Sequence, residues 1–371
     1  MTDRLTFRAA HDQISVFERA RIPEGVARAC FNEPHFPPLD GLAEVIAGEV
    51  PHLNEYGGRT EEAVAAIAAA HRREPDEVLL GSGSMDLIRA VIASVCEPGD
   101  DVIFSWLTFE GYVSACHASA ATPVMVPTTA DGGHDVDAIL AAITDRTRVV
   151  LVASPNNPSG RPLMREQFDR LVAGVPPRVI LALDEAYSEY ASSPRAAFGA
   201  SLFGDGDPVL PENVVILRTL SKAAALAGIR AGYALAAPRV IGGIAKLRTQ
   251  LSVDRLAVAA AWFCFTRDGL DQIEDRVEWV KAERQRIERT LRDRMEKAEI
   301  EGRRHIAIPH SDGNFVWLPV GEKADELHAT LLSDARILAR SFPGVGLRYT
   351  VVEEDVNARF IETVTAWATT P

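Results

Sequence analysis

The 371 residues carry 39 Lys and Arg against 52 Asp and Glu, a formal charge of −13, which argues against a nucleic-acid surface and against an acidic membrane as partner. With 47% hydrophobic and 25% charged residues the composition is that of a soluble globular protein, and the length favours two domains sharing an interface. The cysteines Cys30, Cys96, Cys116 and Cys264 are scattered, with no CxxC pair and no His cluster at ligand spacing, so they read as reduced thiols of the cytoplasm and not as a disulfide framework or a metal site.

Met1 to Ala10 contains no apolar h-region, so no signal peptide is expected. The first 45 or so residues lack periodicity and include Pro34-His35-Phe36-Pro37-Pro38; they read as an extended arm lying on something else. At Thr60-Glu61-Glu62 a cap signal opens an alanine-rich helix. Strands and helices then alternate. Strands are expected at Val78–Leu80, Asp101–Trp106, Thr122–Val126, Arg148–Ala153, Val179–Leu183, Val214–Arg218 and Gly232–Ala236, several as unbroken apolar runs of the kind buried on both faces. Helices at Met85–Val95 and Arg165–Val172 separate them. This alternation predicts an α/β domain with a mainly parallel seven-stranded sheet. The apolar run Leu256–Phe265 is about half the length of a membrane span.

Beyond residue 265 the texture changes. Asp271–Met295 places Ile273, Val277, Val280, Ile287, Leu291 and Met295 at helical spacing, and its many charges read as a solvated face. Strands at Ile306–Pro309, Phe315–Leu318 and Leu347–Val351, with helices at Ala324–Ser333 and Asn357–Ala368, predict a smaller α+β domain. The expected division is an arm over residues 1–45, a large domain over 46–265 and a small domain over 266–371.

Four segments close expected strands, where open α/β sheets place ligands. They are Gly81-Ser82-Gly83-Ser84, Ser154-Pro155-Asn156-Asn157-Pro158-Ser159-Gly160, Asp184-Glu185-Ala186-Tyr187, and Arg218-Thr219-Leu220-Ser221-Lys222 running on to Arg230. The first turns from strand to helix and presents backbone N–H groups to an anion; it is neither a dinucleotide fingerprint nor a Walker loop. Asp184 ends an apolar strand and needs a partner to offset its desolvation, whether as a helix N-cap, in an ion pair or against a cationic heterocycle. Lys222 precedes the apolar stretch Ala223–Ala227, and a lysine in an apolar pocket beside a cation such as Arg230 becomes a nucleophile. One cofactor uses all of these together: pyridoxal 5′-phosphate (PLP) needs a phosphate cradle, a lysine, a carboxylate at its ring nitrogen, donors to its ring hydroxyl and an aromatic cover.

The motif Ser221-Lys222-x-x-x-Leu226-Ala227-Gly228-x-Arg230-x-Gly232-Tyr233 resembles the cofactor-lysine motif of fold-type I PLP-dependent aminotransferases. With SPNNPSG and DEAYSEY, the chain over roughly residues 28–352 resembles the histidinol-phosphate aminotransferase family, and within it is most similar to the aromatic (phenylalanine) aminotransferase branch. The resemblance implies that Lys222 holds the cofactor as a Schiff base and carries the proton. It implies that Asp184 pairs with the ring nitrogen, that Tyr187 and Asn157 bond the ring hydroxyl, and that Phe109 stacks on the ring. Gly83, Ser84, Met85, Thr219, Ser221 and Arg230 would surround the phosphate, with Tyr56 reaching the site of a second subunit in a homodimer to which the arm contributes. For the substrate it implies Arg348 at the α-carboxylate, Arg340 as the arginine that takes a side-chain phosphate in the histidinol-phosphate branch, and Asn314, His35 and Phe36 nearby. The expected reaction moves an amino group between an L-amino acid, aromatic by preference, and a 2-oxo acid, both small-molecule partners, in the cytoplasm. Histidinol phosphate is the alternative donor, and a decarboxylase or oxidase on the same fold the alternative reaction. Departures from the family pattern, at Pro34, at Gly57-Gly58 and at Ser341, surround the substrate and not the cofactor.

Overall fold

The computed structural model describes residues 22–197, 211–300 and 306–369, together with Asp12 and Ile14. The rest of the arm, Met1 to Ala10 included, lies outside the described residues. In chain order the strands are β1 (Ala27–Ala29), β2 (Val78–Gly81), β3 (Asp101–Trp106), β4 (Thr122–Pro127), β5 (Thr147–Ala153), β6 (Ile180–Asp184), β7 (Val214–Thr219), β8 (Gly232–Ala236), β9 (Phe315–Leu318), β10 (Ile337–Phe342) and β11 (Gly346–Thr350).

Seven of them form one sheet in the order β2-β8-β7-β6-β5-β3-β4, matching the seven expected strands within a residue or two. Side chains alternate between its faces. On β5, Val150 and Val152 enter one apolar cluster while Val149 and Leu151 enter the other. On β7, Val214 and Ile216 face one way, Val215 and Leu217 the other. Burial on both faces is why these strands read as unbroken apolar runs. Every neighbour pair is parallel except the two made by β8, which runs antiparallel to β2 and β7. This reversal positions the site. The start of β8 lies beside the ends of its neighbours, with Gly232 opposite both Gly81 and Thr219, so Arg230 meets the Gly81 and Lys222 segments at one sheet edge.

A second sheet has the order β1-β10-β11-β9. The arm supplies its first strand, with Ala27, Arg28 and Ala29 in parallel register with Ile337, Leu338 and Ala339. The helices Arg267–Ile300, Ala324–Asp334 and Glu354–Thr369 cover it, and their apolar faces join its strands in a third cluster. Tyr187, Tyr190 and Ala223, from loops at the edge of the large sheet, belong to that cluster as well. The chemistry-bearing loops are therefore pressed between the two sheets.

Two expectations need correction. Ile306–Pro309 forms no strand; Ile306 and Ile308 are buried in the third cluster, but the Ile308 carbonyl accepts from Arg292 Nε at 2.9 Å, a side-chain bond in place of a ladder. The charges of the long helix are also not all solvated. Glu283, Arg284 and Glu288 are buried, and Arg284 donates to the carbonyls of Tyr190 and Gly313 and to Ser192 Oγ, at 3.0, 2.7 and 2.7 Å. Among the described residues no helix is long and apolar enough to cross a membrane, and no three His, Cys, Asp or Glu are grouped to hold a metal ion.

Candidate active site

At the edge where β2, β7 and β8 meet, Gly83 precedes the helix Ser84–Val95 with φ 78° and makes no side-chain cap bond. A Cβ there would sit 2.6 Å from Arg230 Nη2, so a larger residue would push the guanidinium away from the helix N-terminus. Arg230 adopts the left-handed conformation (φ 61°) and its Nη1 donates to the Ala227 carbonyl at 2.9 Å. Thr219 Oγ1 donates to Ser221 Oγ at 2.9 Å and accepts from the Ser221 N–H at 3.2 Å. A helix N-terminus, two hydroxyls and a guanidinium thus converge as an anion cradle. Met85 and Phe109 pack against Gly111, where a Cβ would meet Phe109 Cε1 at 2.6 Å and Met85 Sδ at 2.9 Å.

Asp184 ends β6 and is buried. Its carboxylate accepts from Tyr112 O–H at 2.7 Å and from the Ala186 N–H at 3.2 Å. Burial nevertheless holds its pKa above the usual carboxylate range, against the lowering effects of Tyr112, the Ala186 N–H and Lys222. Lys222, after β7, donates from Nζ to the Phe31 carbonyl at 3.0 Å. Desolvation first, then the charges of Arg348 and Arg230, bring its pKa down to about 8, against the opposing pull of Glu33 and Asp184. A carboxyl in want of a cation and an amine ready to lose its proton stand in the same cleft.

The small sheet supplies the opposite wall. Arg348 on β11 is buried; it donates to Asn157 Oδ1 and to the Cys30 carbonyl, and burial lowers its pKa first of all. Its Nε has no hydrogen-bond partner, and neither does Asn314 Oδ1, also buried. Asn314 Nδ2 donates to the Asn32 carbonyl at 3.2 Å. Arg340 lies opposite Arg348 in the β10–β11 register and reaches across to Glu110, with Nη2 2.7 Å from Oε2. Phe342 lies near both guanidinium groups, at 5.7 Å from Arg340 and 5.8 Å from Arg348, and meets Trp317 edge-on at 5.6 Å.

Most of the anticipated residues therefore share one cleft, with three placed apart. His35 and Phe36 pack against Trp279 of the long helix, at 5.0 and 5.6 Å between ring centroids, and Arg276 lies over the Phe36 ring at 5.4 Å. Tyr56 is 87% exposed. Sequence reasoning missed Tyr112 as the partner of Asp184, Asn32 as the partner of Tyr187 and Glu110 as the partner of Arg340. Tyr112 and Glu110 stand within three residues of Phe109, in Thr108-Phe109-Glu110-Gly111-Tyr112, where the resemblance assigns a role to Phe109 alone.

The pattern of the "Aminotransferase class I and II" family matches residues 29–364. An aromatic amino acid aminotransferase of Rhodococcus jostii is 38% identical over 343 residues, 92% of this chain and 90% of the relative. One so named from Streptomyces avermitilis is 34% identical over 332 residues, 89% and 88% of the two chains. Among solved structures, the histidinol-phosphate aminotransferase of Sinorhizobium meliloti in complex with pyridoxal-5′-phosphate superposes with a TM-score of 0.79 at 26% identity, covering 92% of each chain. An aspartate aminotransferase tetra mutant from Thermus thermophilus reaches a TM-score of 0.80 at 19% identity, over 97% and 99% of the two chains, a likeness that speaks for the fold alone. The chain belongs to the aminotransferase class I and II family and is a PLP-dependent aminotransferase of fold type I.

Proposed function

We propose that this chain transfers amino groups between aromatic L-amino acids and 2-oxo acids. The observation that carries the choice of side chain is the Arg340–Glu110 ion pair. It occupies the cation otherwise open to an anionic side chain or phosphate, beside the aromatic rings of Phe342 and Trp317. The names of the relatives from Rhodococcus and Streptomyces support the same reading.

The residues present fit the cofactor. The Gly83–Arg230 cradle suits its phosphate, buried Asp184, which has no ion-pair partner among the described residues, suits a protonated ring nitrogen, and Lys222 suits the aldehyde. Asn157 and Tyr187 are the donors proposed for the ring hydroxyl, and Phe109 the cover of the ring. PLP, when bound, supplies the electron sink that weakens the bonds at the Cα of an amino acid. Lys222 Nζ, neutral in part near pH 8, serves as nucleophile and then as the base that takes and returns the Cα proton. Arg348 offers a planar fork to the α-carboxylate and so orients the substrate, and Asn314 lies on the same small-domain wall.

The division into an arm (1–45), a large domain (46–265) and a small domain (266–371) belongs to this proposal, as does a cytoplasmic homodimer. Val50, Leu53 and Tyr56 are all more than half exposed in one chain, an apolar patch that a second copy would cover.

The test is kcat/KM for phenylalanine, tyrosine and histidinol phosphate, in wild type, Arg340→Ala and Glu110→Gln. Wild type should prefer the aromatic donors, and Glu110→Gln should raise the relative rate with histidinol phosphate. A wild-type preference for histidinol phosphate, abolished by Arg340→Ala, would refute the aromatic reading.

A further inference from the structure

Asn32 follows β1 in the left-handed conformation (φ 55°) and is 1% exposed. Its backbone N–H donates to Thr350 Oγ1 at 3.0 Å. That hydroxyl has one hydrogen and directs it to Asn32 Oδ1 at 3.1 Å. The amide accordingly turns Oδ1 to Thr350, and Nδ2 donates to Tyr187 Oη at 2.9 Å. The Tyr187 oxygen is therefore an acceptor towards Asn32, and its own hydrogen is left to point elsewhere. The two preceding residues also touch the site, since the Phe31 carbonyl accepts from Lys222 and the Cys30 carbonyl from Arg348.

We infer that Asn32 is a positioning residue for Tyr187, fixing the direction of the Tyr187 hydroxyl and strengthening it as a donor. Nothing in the Asn-Glu-Pro-His segment announces this. It rests on the pairing of Asn32 with Thr350 of the small sheet and with Tyr187 beyond the end of β6. Because β1 pairs with β10, Asn32 is carried by the small sheet while Tyr187 is carried by the large one. The bond therefore forms only when the two lie together. Polarisation along a hydrogen-bond chain makes the Tyr187 hydroxyl a stronger donor than an isolated phenol. The inference rests on the reading that Tyr187 donates to the ring oxygen of the cofactor. A bond donated to an oxygen anion favours its deprotonated form, so weakening the donor raises the pH at which the visible absorption of the bound cofactor changes.

The experiment is a pH titration of that absorption in the PLP-loaded protein, for wild type, Asn32→Ala, Tyr187→Phe and the double variant. Tyr187→Phe should raise the midpoint. Asn32→Ala should raise it by a smaller amount, roughly 0.5 pH unit, and should add nothing in the Tyr187→Phe background. Thr350→Val, which leaves the amide free to turn, should give a smaller shift in the same direction and serves if Asn32→Ala does not fold. An unchanged midpoint in the folded Asn32 or Thr350 variant, or an equal shift with and without the Tyr187 hydroxyl, overturns the inference. If Tyr187→Phe itself leaves the midpoint unchanged, the role assigned to Tyr187 fails first and the inference falls with it.

Discussion

Replacing Tyr112 by phenylalanine removes one hydroxyl and leaves the ring in place against Phe104 and Phe109. The side chain is fully buried, and its hydroxyl donates to Asp184 at 2.7 Å. A hydrogen bond to a charged group contributes about 1.5–3 kcal/mol, more than the same bond gives to the neutral carboxyl. The Asp184 pKa, already raised by burial, should climb further when that difference is lost. The Tyr112 bond favours the ionised form, so its stabilisation is fully present where Asp184 is charged and shrinks as the pH falls through the folded pKa. Once the carboxyl is neutral, a bond of ordinary strength remains, roughly 0.5–1.5 kcal/mol. Thermal melting of cofactor-free wild type and Tyr112→Phe should therefore show a gap that is widest at alkaline pH, where Asp184 is ionised, and narrows as the pH falls. Affinity for PLP should fall too, because the carboxylate proposed to face the ring nitrogen is less readily ionised. A melting gap independent of pH, with unchanged PLP affinity, would refute the argument that Tyr112 keeps Asp184 charged.

The pKa of about 8 for Lys222 makes a kinetic prediction: cofactor-free protein should capture PLP faster as the pH rises through about 8, because only the neutral amine attacks. Arg348→Met, removing the second-largest cause of the depression, should move that midpoint upward; stopped-flow absorbance checks both, and a rate flat between pH 7 and 9 contradicts the assignment. If Tyr56 completes the site of the other subunit, mixing Lys222→Ala with Tyr56→Phe subunits should recover some wild-type sites. An active monomer in sedimentation would end that reading.

Much of the fold was legible because the large sheet is buried on both faces. Val149-Val150-Leu151-Val152 and Val179-Ile180-Leu181-Ala182-Leu183 need no partner in view to read as strands. The small sheet was harder. β10 carries Arg340-Ser341 in its interior, where the ladder with Ser341↔Leu347 overrides a poor local pattern, and β1 is three residues long and takes its conformation from Ile337–Ala339. The direction of β8 was not legible either. Five apolar residues look the same run either way, yet the antiparallel choice is what brings Arg230 beside Gly83.

The site divides along the same line. Lys222, Asp184, Asn157 and Arg230 sit in contiguous segments whose residue types announce a chemistry. Tyr112 and Asn32 act through partners 72 and 155 residues away, and no local pattern encodes such pairings. Arg284 is different, because a usable signal was present. It falls one helical turn from Val280 and from Ile287, inside the stripe that continues through Leu291, so the helical period placed it indoors while its charge suggested water. A guanidinium at an apolar position needs acceptors, and it finds the carbonyls of Tyr190 and Gly313 and the hydroxyl of Ser192. Those acceptors lie just past Tyr187 and just before Asn314. One buried arginine on the long helix therefore ties the loop that ends β6, carried by the large sheet with Tyr187, to the loop that opens β9, carried by the small sheet with Asn314.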